Sequence, residues 1–499
     1  MDRYEQILSD LFVRFPSVSK AGFGASSYKP GLDHMHSFDA LLGYPSESLK
    51  AIHVAGTNGK GSVSSMLASV LSAKGMRVGL FTSPHLLDFR ERIKIVEASG
   101  FRMIGRKDVL DFVDRWNADF DRLDLSFFEI TTGMAFDWFV RESVDIAVIE
   151  VGLGGRLDST NILTPELSIV TSIGLDHCAQ LGMTRAAIAG EKAGIFKPGV
   201  PALVGERDAE TAPVFEAAAA AAPCPLFFAD DWPESLTPAG LVRSGSPMPA
   251  PAGRPARIGA NSAAADKLSA QQMTQDARMD GVPFPQACQP DLTLDLRGEY
   301  QQKNLRTVLA ALDLLGIEPD WDALAHTAAR TGLRGRWEKL QDKPLALCDI
   351  GHNPPALREN FAQLERMMAS GRYDRLLIVY GIMADKALDE IIPLMPRVAD
   401  YYFATPNTPR ALPAEQIATL VMQVDLVRSG AGIGEPEMDP SGKAPFNPTP
   451  DLQSLSLHVC GSVADAIREA QKNASENSLI YIGGSTFVVS EAITYFETL

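Results

Sequence analysis

Short apolar runs alternate with longer segments of helical periodicity along this chain. The first clear example is an apolar run at 52–54, a glycine-rich turn at 56–62, and apolar residues at helical spacing from Val63 to Leu71. The same patterns predict further strands at 77–81, 145–151 and 167–173 and a helix at 128–140. Strands that alternate with helices are typical of a parallel sheet covered by helices. The chain is therefore predicted to be an α/β protein.

The second half of the chain repeats this alternation. Its predicted strands, which indicate a second and smaller α/β domain with a parallel sheet, lie at 346–349, 376–380, 399–404 and 479–482. Apolar and polar residues also alternate at 292–296, which predicts a strand between the two domains. A chain of 499 residues exceeds what a single core usually serves, so we expect domains at 1–297 and 298–499.

Two segments interrupt the pattern through their composition. Ala, Pro, Gly, Ser and Gln dominate 232–290, and Gly and Pro are frequent at 429–451. Segments of this composition bury too little apolar surface to order themselves firmly. We expect both to be surface insertions in otherwise folded domains.

Charge and cysteine content narrow the class of protein. The net charge of -16 argues against a nucleic-acid or anionic-membrane surface, so an anionic substrate would need a local basic pocket. The five cysteines are scattered without metal-ligand spacing, which is typical of free thiols in a reducing compartment. The N-terminus has no signal-peptide pattern, and no apolar run approaches the roughly 20 residues of a membrane span. We expect a cytoplasmic monomer that binds small molecules and neither nucleic acid nor membrane.

The turn at 56–62 has the composition of a phosphate-binding loop. Its glycines let backbone N–H groups approach phosphate oxygens, the following helix N-terminus adds positive potential, and Lys60 adds a full charge. The match to the general phosphate-loop pattern is imperfect, because Val54 stands where the first glycine belongs and Gly61 separates Lys60 from Ser62. The residue types fit a nucleoside triphosphate.

Polar residues follow three of the predicted strands where ligands collect in open α/β sheets, at the carboxyl ends. They are Ser83, Glu150 and His177. A buried strand that delivers a carboxylate into a glycine-rich turn is costly unless a cation meets it, and Mg²⁺ bound to triphosphate is such a cation. Plainer interpretations stay open: a helix N-cap for Ser83, a capping or ion-paired residue for Glu150, and a core or surface histidine for His177.

Taken together, the motifs resemble the folylpolyglutamate synthase and dihydrofolate synthase family of the Mur ligase superfamily. The segments that carry this resemblance stand in the family's order, at 56–62, 82–86, 150–158, 176–182, 190–197 and 349–354. One departure is Gly351, which replaces the alanine that is usual in the last motif. The resemblance implies a phosphate-loop ATPase domain of the Mur ligase type, with a parallel-rich central sheet, followed by a smaller Rossmann-like domain.

The resemblance also implies roles for individual residues. The implied nucleotide-binding set is Thr57, Asn58, Gly59, Lys60, Gly61, Ser62, Asn304, Arg336 and Asp349. The implied catalytic set is Lys60, Glu150, His177, Lys192 and His352, and the implied Mg²⁺ ligands are Ser83, Glu150 and His177. Contacts to substrate are implied for Arg92 and Ser485.

Two of these residues have plainer interpretations from the sequence alone. Lys192 is typical of a solvated helix lysine, and Arg336 is typical of a surface arginine. In ligases that the chain resembles, the lysine at the position of Lys192 is carbamylated, which turns a cation into an anion able to help hold a second Mg²⁺. The resemblance therefore implies ATP as co-substrate, two Mg²⁺ ions and a carbamylated Lys192.

The implied reaction is the ATP-dependent addition of L-glutamate to dihydropteroate, to reduced folyl(poly)glutamates, or to both. It would pass through an acyl phosphate and release ADP and phosphate. One alternative is a Mur-type cell-wall amino-acid ligase, against which Gly61 and Ser62 stand where that branch usually has threonines. Another is a nucleotide-binding regulatory protein without catalysis, against which the intact Ser83, Glu150 and His177 argue.

Overall fold

The structure is a computed structural model, and it describes residues 2–18, 22, 24, 29–232, 293–428 and 456–498. Of the two predicted insertions, 429–451 lies wholly outside the described residues, and 232–290 does so except for Trp232. Within the described residues the chain forms two β-sheets, one in each half.

The first sheet has eight strands, ordered β4-β3-β2-β5-β1-β6-β7-β8, in which β3 is antiparallel to both β2 and β4 and the other neighbouring pairs are parallel. Its strands and helices are α1 (Arg3–Arg14), α2 (Asp33–Leu42), α3 (Pro45–Ser48), β1 (Ala51–Ala55), α4 (Lys60–Ala73), β2 (Val78–Phe81), β3 (Ile93–Glu97), β4 (Gly100–Met103), α5 (Arg106–Arg122), α6 (Phe127–Arg141), β5 (Ile146–Glu150), β6 (Leu167–Val170), α7 (Cys178–Leu181), α8 (Arg185–Ala193), β7 (Ala202–Val204), α9 (Ala212–Ala221) and β8 (Leu226–Phe228).

Strand β1 lies near the middle of this sheet, and all five of its residues are buried. Ile52 and Val54 pack with α4 on one face, whereas Ala51 and Ala55 pack into cores on the other. A strand that alternates between two covered faces is expected to be mostly apolar, as β1 is apart from the buried His53. This strand therefore places the turn at 56–62 at the centre of one sheet edge.

The second sheet has six strands, ordered β13-β12-β11-β14-β10-β9, and only β9 runs antiparallel to its neighbour among these described strands. The strands and helices of the second half are α10 (Gln301–Leu314), α11 (Trp321–Ala325), α12 (Thr327–Thr331), β9 (Glu338–Gln341), β10 (Leu345–Asp349), α13 (Pro354–Ala369), β11 (Leu376–Tyr380), α14 (Leu388–Ile391), β12 (Asp400–Ala404), α15 (Ala414–Arg428), β13 (Ser456–Cys460), α16 (Val463–Asn473), β14 (Leu479–Gly483) and α17 (Thr486–Glu497).

Helices α10 and α11 connect the two sheets but pack against the first. Leu305, Leu309 and Leu324 belong to the same buried cluster as α4. The side-chain hydroxyl of Ser69 on α4 donates to the carbonyl of Ala323 at 2.7 Å. The domain boundary between 297 and 298 stays a prediction, and by packing these helices belong with the first core.

The structure confirms the predicted strands around the phosphate loop and in the second half, and it confirms the helix predicted at 128–140. That helix, α6, begins with a capping box in which Ser126 and Glu129 each accept from the other's backbone N–H. No helix in the described part of the chain is long and apolar enough to cross a membrane.

The strand predicted at 292–296 is wrong where the structure describes it, at 293–296. Leu294 and Leu296 are buried in the first core, and the Asp295 carboxylate between them accepts from the N–H groups of Ala328 and Ala329, both at 3.0 Å. The alternation therefore reflects two buried leucines and an aspartate that binds the start of α12, not a ladder with a neighbouring strand.

Candidate active site

Four parallel strands of the first sheet end at one edge and bring the predicted site residues to it. β1 pairs with β5 and β6, and β5 pairs with β2, all in parallel. The carboxyl ends of parallel strands meet at the same edge. The phosphate loop after β1, Ser83 after β2, Glu150 at the end of β5 and His177 after β6 are therefore neighbours in the fold.

Backbone conformation and main-chain contacts shape the phosphate loop. Gly56 and Gly59 have φ values of 149° and 87°, which side chains rarely allow. A Cβ atom at Gly59 would lie 2.3 Å from Oδ1 of Asn304, so helix α10 closes against the loop at this point. The Lys60 ammonium donates to the carbonyls of Gly56 and Thr57 at 3.0 and 3.2 Å. The loop is thus a compact turn that carries its own cation.

Residues after β6 support the same loop from the side. The Thr57 hydroxyl and the backbone of Gly174 exchange two hydrogen bonds, of 3.1 and 3.0 Å. The N–H of Asn58 donates to the Ser172 hydroxyl at 3.2 Å, and the Thr171 hydroxyl donates to the carbonyl of Asn58 at 2.6 Å. The loop is therefore fixed to the strand end that also carries His177.

Glu150 is buried beside three cationic side chains. Its Oε2 accepts from the backbone N–H of Ser83 at 3.2 Å. Burial raises the pKa of Glu150, and the charges of Lys60, Arg336 and, more weakly, Arg92 oppose that rise. A Cβ atom at Gly61 would lie 3.5 Å from both Glu150 Oε2 and a terminal nitrogen of Arg336. The structure thus brings an acid, a lysine and an arginine from distant parts of the chain around one glycine.

Ser83 does not begin a helix. It precedes Pro84 through a cis peptide bond, and in this described stretch the next helical turn is at Phe89–Arg92, capped by Asp88. The helix N-cap interpretation of Ser83 is therefore wrong, and its position is beside Glu150.

His177 adopts a left-handed backbone conformation, with φ at 53°, where α7 begins. The backbone N–H of His177 donates to Oδ1 of Asp176 at 2.9 Å. Burial lowers the pKa of His177 to about 4, although the Asp176 carboxylate acts in the opposite direction. The imidazole is neutral at physiological pH, and a neutral imidazole is the form that binds metal ions.

Lys192 lies in the last turn of α8 and is buried, so the solvated-lysine interpretation is wrong. Its ammonium donates to the carbonyl of Gly56 at 2.9 Å, the same carbonyl that Lys60 contacts. Burial, and to a smaller extent the positive charge of Lys60, lower the pKa of Lys192 to about 7. The amine is therefore partly neutral at pH 7, which makes it nucleophilic.

Three residues of the predicted nucleotide set lie where α10 meets the phosphate loop. Asn304 donates to Oε1 of Gln301 at 2.8 Å, and Gln301 donates to the Ser62 hydroxyl at 3.1 Å. Arg336 donates to the carbonyls of Arg334 and Gly335 at 3.2 and 3.3 Å. Arg336 is thus held toward the loop by its own backbone turn, and the surface-arginine interpretation is wrong.

Asp349 and His352 lie in the loop that follows β10. The Asp349 carboxylate accepts four hydrogen bonds, from the Tyr300 hydroxyl at 2.7 Å, Trp337 N–H at 3.2 Å, Gly351 N–H at 2.8 Å and the Asn360 amide at 2.7 Å. An ionised carboxylate offers about four acceptor positions, so Asp349 is saturated by the protein itself. His352 is half-buried, and its Nδ1 lies 3.0 Å from the carbonyl of Ile350.

Two residues that the resemblance linked to substrate have other contacts. Arg92 is buried, its Nε donates to Nδ1 of His85 at 2.7 Å, and its guanidinium lies 5.4 Å from the centre of the Phe127 ring. The Ser485 hydroxyl accepts from the N–H of Val488 and caps α17. Substrate contact by either residue stays a prediction.

Four residues that were not among the predicted ones also belong to the site, namely Asp176, Gln301, Asn353 and Lys386. Asp176 and Asn353 stand next to the predicted His177 and His352, and a polar residue beside a motif histidine at a strand end was the available signal. Gln301 lies one helical turn before Asn304 and therefore on the same face. The segment 381–386 extends the family resemblance, but no local pattern predicts that Lys386 contacts Asp176, which is 210 positions away.

The residues present fit a divalent cation. Within the described residues no group of three or more His, Cys, Asp and Glu side chains could hold a metal by itself. Ser83 and Glu150 are in contact, however, and His177 is neutral, so a hydroxyl, a carboxylate and an imidazole share one sheet edge. Mg²⁺ is commonly bound by one or two protein ligands together with substrate phosphates, and this set suits that arrangement.

Residues 335–486 match the family model described as Mur ligase, glutamate ligase domain. Together with the phosphate-loop sheet and the cations around Glu150, this match defines the protein as an ATP-dependent ligase of the Mur type. The folylpolyglutamate synthase of Lacticaseibacillus casei is 32% identical over 420 residues, which cover 80% of this chain and 85% of that protein. The dihydrofolate synthase/folylpolyglutamate synthase of Escherichia coli is 31% identical over 388 residues, which cover 78% of this chain and 80% of that protein. This chain belongs to the folylpolyglutamate synthase and dihydrofolate synthase family.

Solved structures agree with this membership. E. coli FolC in complex with DHPP and ADP superposes with a TM-score of 0.71 at 25% identity, covering 100% of this chain and 98% of that one. The Mycobacterium tuberculosis folylpolyglutamate synthase complexed with ADP superposes with a TM-score of 0.71 at 24% identity, covering 99% and 98% of the two chains, and it shows the shared fold.

Proposed function

We propose that this protein joins L-glutamate to two kinds of acceptor, dihydropteroate and reduced folyl(poly)glutamates, in an ATP-dependent reaction. The observation that carries this proposal is the convergence of Lys60, Glu150 and Arg336 around Gly61, at the point where the two halves of the chain meet. The names of two relatives support it. The L. casei protein is named as a folylpolyglutamate synthase, and the E. coli protein is named as both a dihydrofolate synthase and a folylpolyglutamate synthase.

The charges at the site suit an acyl phosphate mechanism. A free carboxylate is a poor acyl donor, because its leaving group would be oxide. Transfer of the γ-phosphoryl group of ATP to the acceptor carboxylate forms an acyl phosphate and ADP. In this proposal Lys60 and Arg336, which both lie at the phosphate loop, balance the negative charge on the transferring group. The amine of L-glutamate then attacks the acyl carbon, loses a proton, and expels inorganic phosphate to leave the amide.

Ser83, Glu150 and His177 would hold Mg²⁺ in this mechanism. When bound, the ion neutralises phosphate charge and orients the triphosphate. The chain's own contribution is to keep Glu150 among cations that favour its ionised form and to keep His177 neutral. We propose two ions, since the nearby Lys192 could supply a further anionic ligand after modification.

Carbamylation of Lys192 is the modification that the surroundings of this residue support. The reaction needs a neutral amine, and burial lowers the pKa of Lys192 to about 7. The carbamate would replace one buried positive charge by a negative one near Lys60, which removes a repulsion between two cations. Electron density at Lys192 in crystals grown with bicarbonate, compared with crystals depleted of carbon dioxide, tests this step.

The decisive experiment measures ADP release with ATP, Mg²⁺ and L-glutamate, and compares dihydropteroate with tetrahydrofolate as acceptor. Products are identified by mass. Activity with both acceptors establishes the two-acceptor enzyme, whereas activity with one restricts the proposal to that acceptor. Lys60→Ala is the control for contaminating activity, because loss of the loop cation should abolish turnover.

Silence with both acceptors from folded, ATP-binding protein would favour the two alternatives, a cell-wall amino-acid ligase or a regulatory nucleotide-binding protein. Light scattering during size-exclusion chromatography of the same preparation tests the further proposal that the protein acts as a monomer.

A further inference from the structure

Asp176, just beyond β6, faces residues carried by the second half of the chain. Its Oδ2 accepts from the Asn353 amide at 3.0 Å, and its Oδ1 accepts from the Lys386 ammonium at 3.0 Å. Nε2 of His352 lies 3.6 Å from Oδ2. The side chains of Asp176 and Lys386 are only 11% and 10% exposed. One acid at the edge of the first sheet thus faces two loops of the second sheet, those after β10 and β11.

Asn353 extends this contact to the phosphate loop. The side chains of Asn58 and Asn353 exchange two hydrogen bonds, of 3.1 and 3.0 Å. The side-chain oxygen of Asn353 also accepts from the N–H of Ala356 at 3.1 Å and so caps α13. The first turn of α13 is therefore tied both to Asp176 and to the loop predicted to hold the triphosphate.

Close packing surrounds these polar contacts. A Cβ atom at Gly174 would lie 2.8 Å from Cγ of Pro355, so the two halves meet there without space for a side chain. The loop that carries Lys386 is held by Arg410, which pairs with Asp385 at 2.6 Å and donates to the carbonyl of Val18 at 3.2 Å. The halves therefore touch on both sides of Asp176.

We propose that Asp176 is a positioning residue that holds the two halves closed over the acyl phosphate. The Asp176 latch consists of Asp176, Asn353 and Lys386, and the inference rests on the proposed function. Through it the loops that carry His352 and Lys386 are held at the phosphate loop while the amine attacks.

The chemistry of the intermediate explains why such a latch matters. Water hydrolyses an acyl phosphate to the free carboxylate and inorganic phosphate, so each hydrolysed molecule has released one ADP without forming an amide. A closed site excludes water until the amine arrives. Charge-assisted hydrogen bonds are short and directional, and a buried ion pair contributes little net stability because both charges lose their hydration. The contribution of this pair is therefore the orientation of the two loops.

The first test replaces Asp176→Asn, which keeps the size of the side chain and removes its charge. We expect the rate of amide formation to fall at least about tenfold, as misplacement of reacting groups does, while the KM for ATP changes less than about twofold. ADP released per amide should rise above one, because water reaches the intermediate. ADP and amide that fall together in a fixed ratio of one would overturn the proposal.

Two further variants separate the latch from general damage. Asp208→Asn removes a different ion pair, the 2.9 Å contact with Arg185, which lies wholly within the first half and should leave the ratio at one. The double variant Asp176→Asn with Lys386→Met leaves no unpaired buried charge and so guards against misfolding. The double variant is compared with Asp176→Asn alone and with Lys386→Met alone. If the residues act as one latch, the double variant should be no slower than the slower of these two. A rate loss equal to the product of the two single losses would contradict a shared role.

A physical measurement tests the latch without relying on ligation. Small-angle X-ray scattering with ADP and Mg²⁺ should give a larger radius of gyration for Asp176→Asn than for the wild type, and an unchanged one for Asp208→Asn. Identical curves for the wild type and Asp176→Asn would overturn the latch. Absence of any ligation by the wild type would instead count against the proposed function, so the two failures are distinguishable.

Discussion

Two loops face each other across the site, and they are built in different ways. The phosphate loop at 56–62 contains glycines with positive φ, and the Lys60 ammonium donates to two of the loop's own carbonyls. The loop at 349–353 owes its shape to one buried carboxylate, Asp349, which gathers donors from Tyr300, Trp337, Gly351 and Asn360. The first loop depends on backbone conformations that glycine allows, and the second depends on donors from residues spread over 60 positions.

This difference predicts opposite sensitivities to substitution. The phosphate loop should be damaged most by an added Cβ atom, because its glycines occupy conformations and spaces closed to other residues. The second loop should be damaged most by the loss of polar atoms, because donors that converge on Asp349 would be left unpaired in a buried place. Substitutions in each loop can therefore test whether the contrast is real.

The largest effect is expected for Gly59→Ala. Alanine at this position would have to adopt the left-handed backbone conformation, and its Cβ would lie 2.3 Å from Oδ1 of Asn304. A displacement of about 1 Å near reacting groups can cost about a hundredfold in rate, so we expect a loss of that order in kcat/KM for ATP. Steady-state kinetics at varied ATP concentration measures it.

The matched control is Gly75→Ala. Gly75 has the same φ of 87° but no atom within 4 Å of the added Cβ. Both variants should lose about 1–2 kcal/mol of unfolding free energy through backbone strain, and only Gly59→Ala should lose activity. Equal kinetics for the two variants would show that close approach of α10 does not shape the phosphate loop.

A smaller effect is expected for Asp349→Asn in the second loop. The amide replaces one acceptor oxygen by a donor, which must then face another donor in a buried network. We expect a loss of about 2–3 kcal/mol in unfolding free energy and a fall of about tenfold in kcat/KM. Tyr300→Phe, which removes a single donor, should cost only about 1 kcal/mol in denaturant titration. If both variants lose the same stability, Asp349 is not the centre of the network.

The contrast between the loops also explains what the sequence could predict. The strand, turn and helix around Lys60 follow from local periodicity and glycine placement, and the structure confirms them. The ends of β2, β5 and β6 follow from the same periodicity, which is why the sequence predicts that Ser83, Glu150 and His177 lie at one edge.

Local sequence patterns do not predict contacts between distant segments of the chain. Lys192 has the sequence context of a solvated helix lysine, and only the packing of α8 against Gly56 buries it. The saturation of Asp349 depends on the Tyr300 hydroxyl at the start of α10, the Asn360 amide on α13 and the backbone N–H of Trp337 before β9. The alternation at 292–296 was misleading because two leucines buried in the first core on either side of Asp295 give the same period as a strand.

The effect expected at His53 is confined to acidic pH, and it tests a side-chain contact beneath the phosphate loop. His53 lies on β1, and its Nε2 is 2.8 Å from the Thr160 hydroxyl. Thr160 in turn contacts Asp158, whose carboxylate accepts from the N–H of Leu153 in the loop after Glu150. Burial lowers the pKa of His53 to about 3. This histidine therefore has to stay neutral while it supports the strand beneath the loop.

The sign of the pH effect follows from that lowered pKa. The unfolded chain takes up a proton at His53 near pH 6.5 and the folded chain does so only near pH 3, so stability falls as pH decreases between these values, by about 1.4 kcal/mol per pH unit. His53→Gln keeps a polar group near Thr160 and cannot titrate. Between pH 6 and 4.5 we expect the wild type to lose about 2 kcal/mol relative to this variant in urea titrations, with no change in their difference above pH 7.5. Parallel profiles would mean that His53 is solvated in the folded protein and does not support β1 as a buried, neutral side chain.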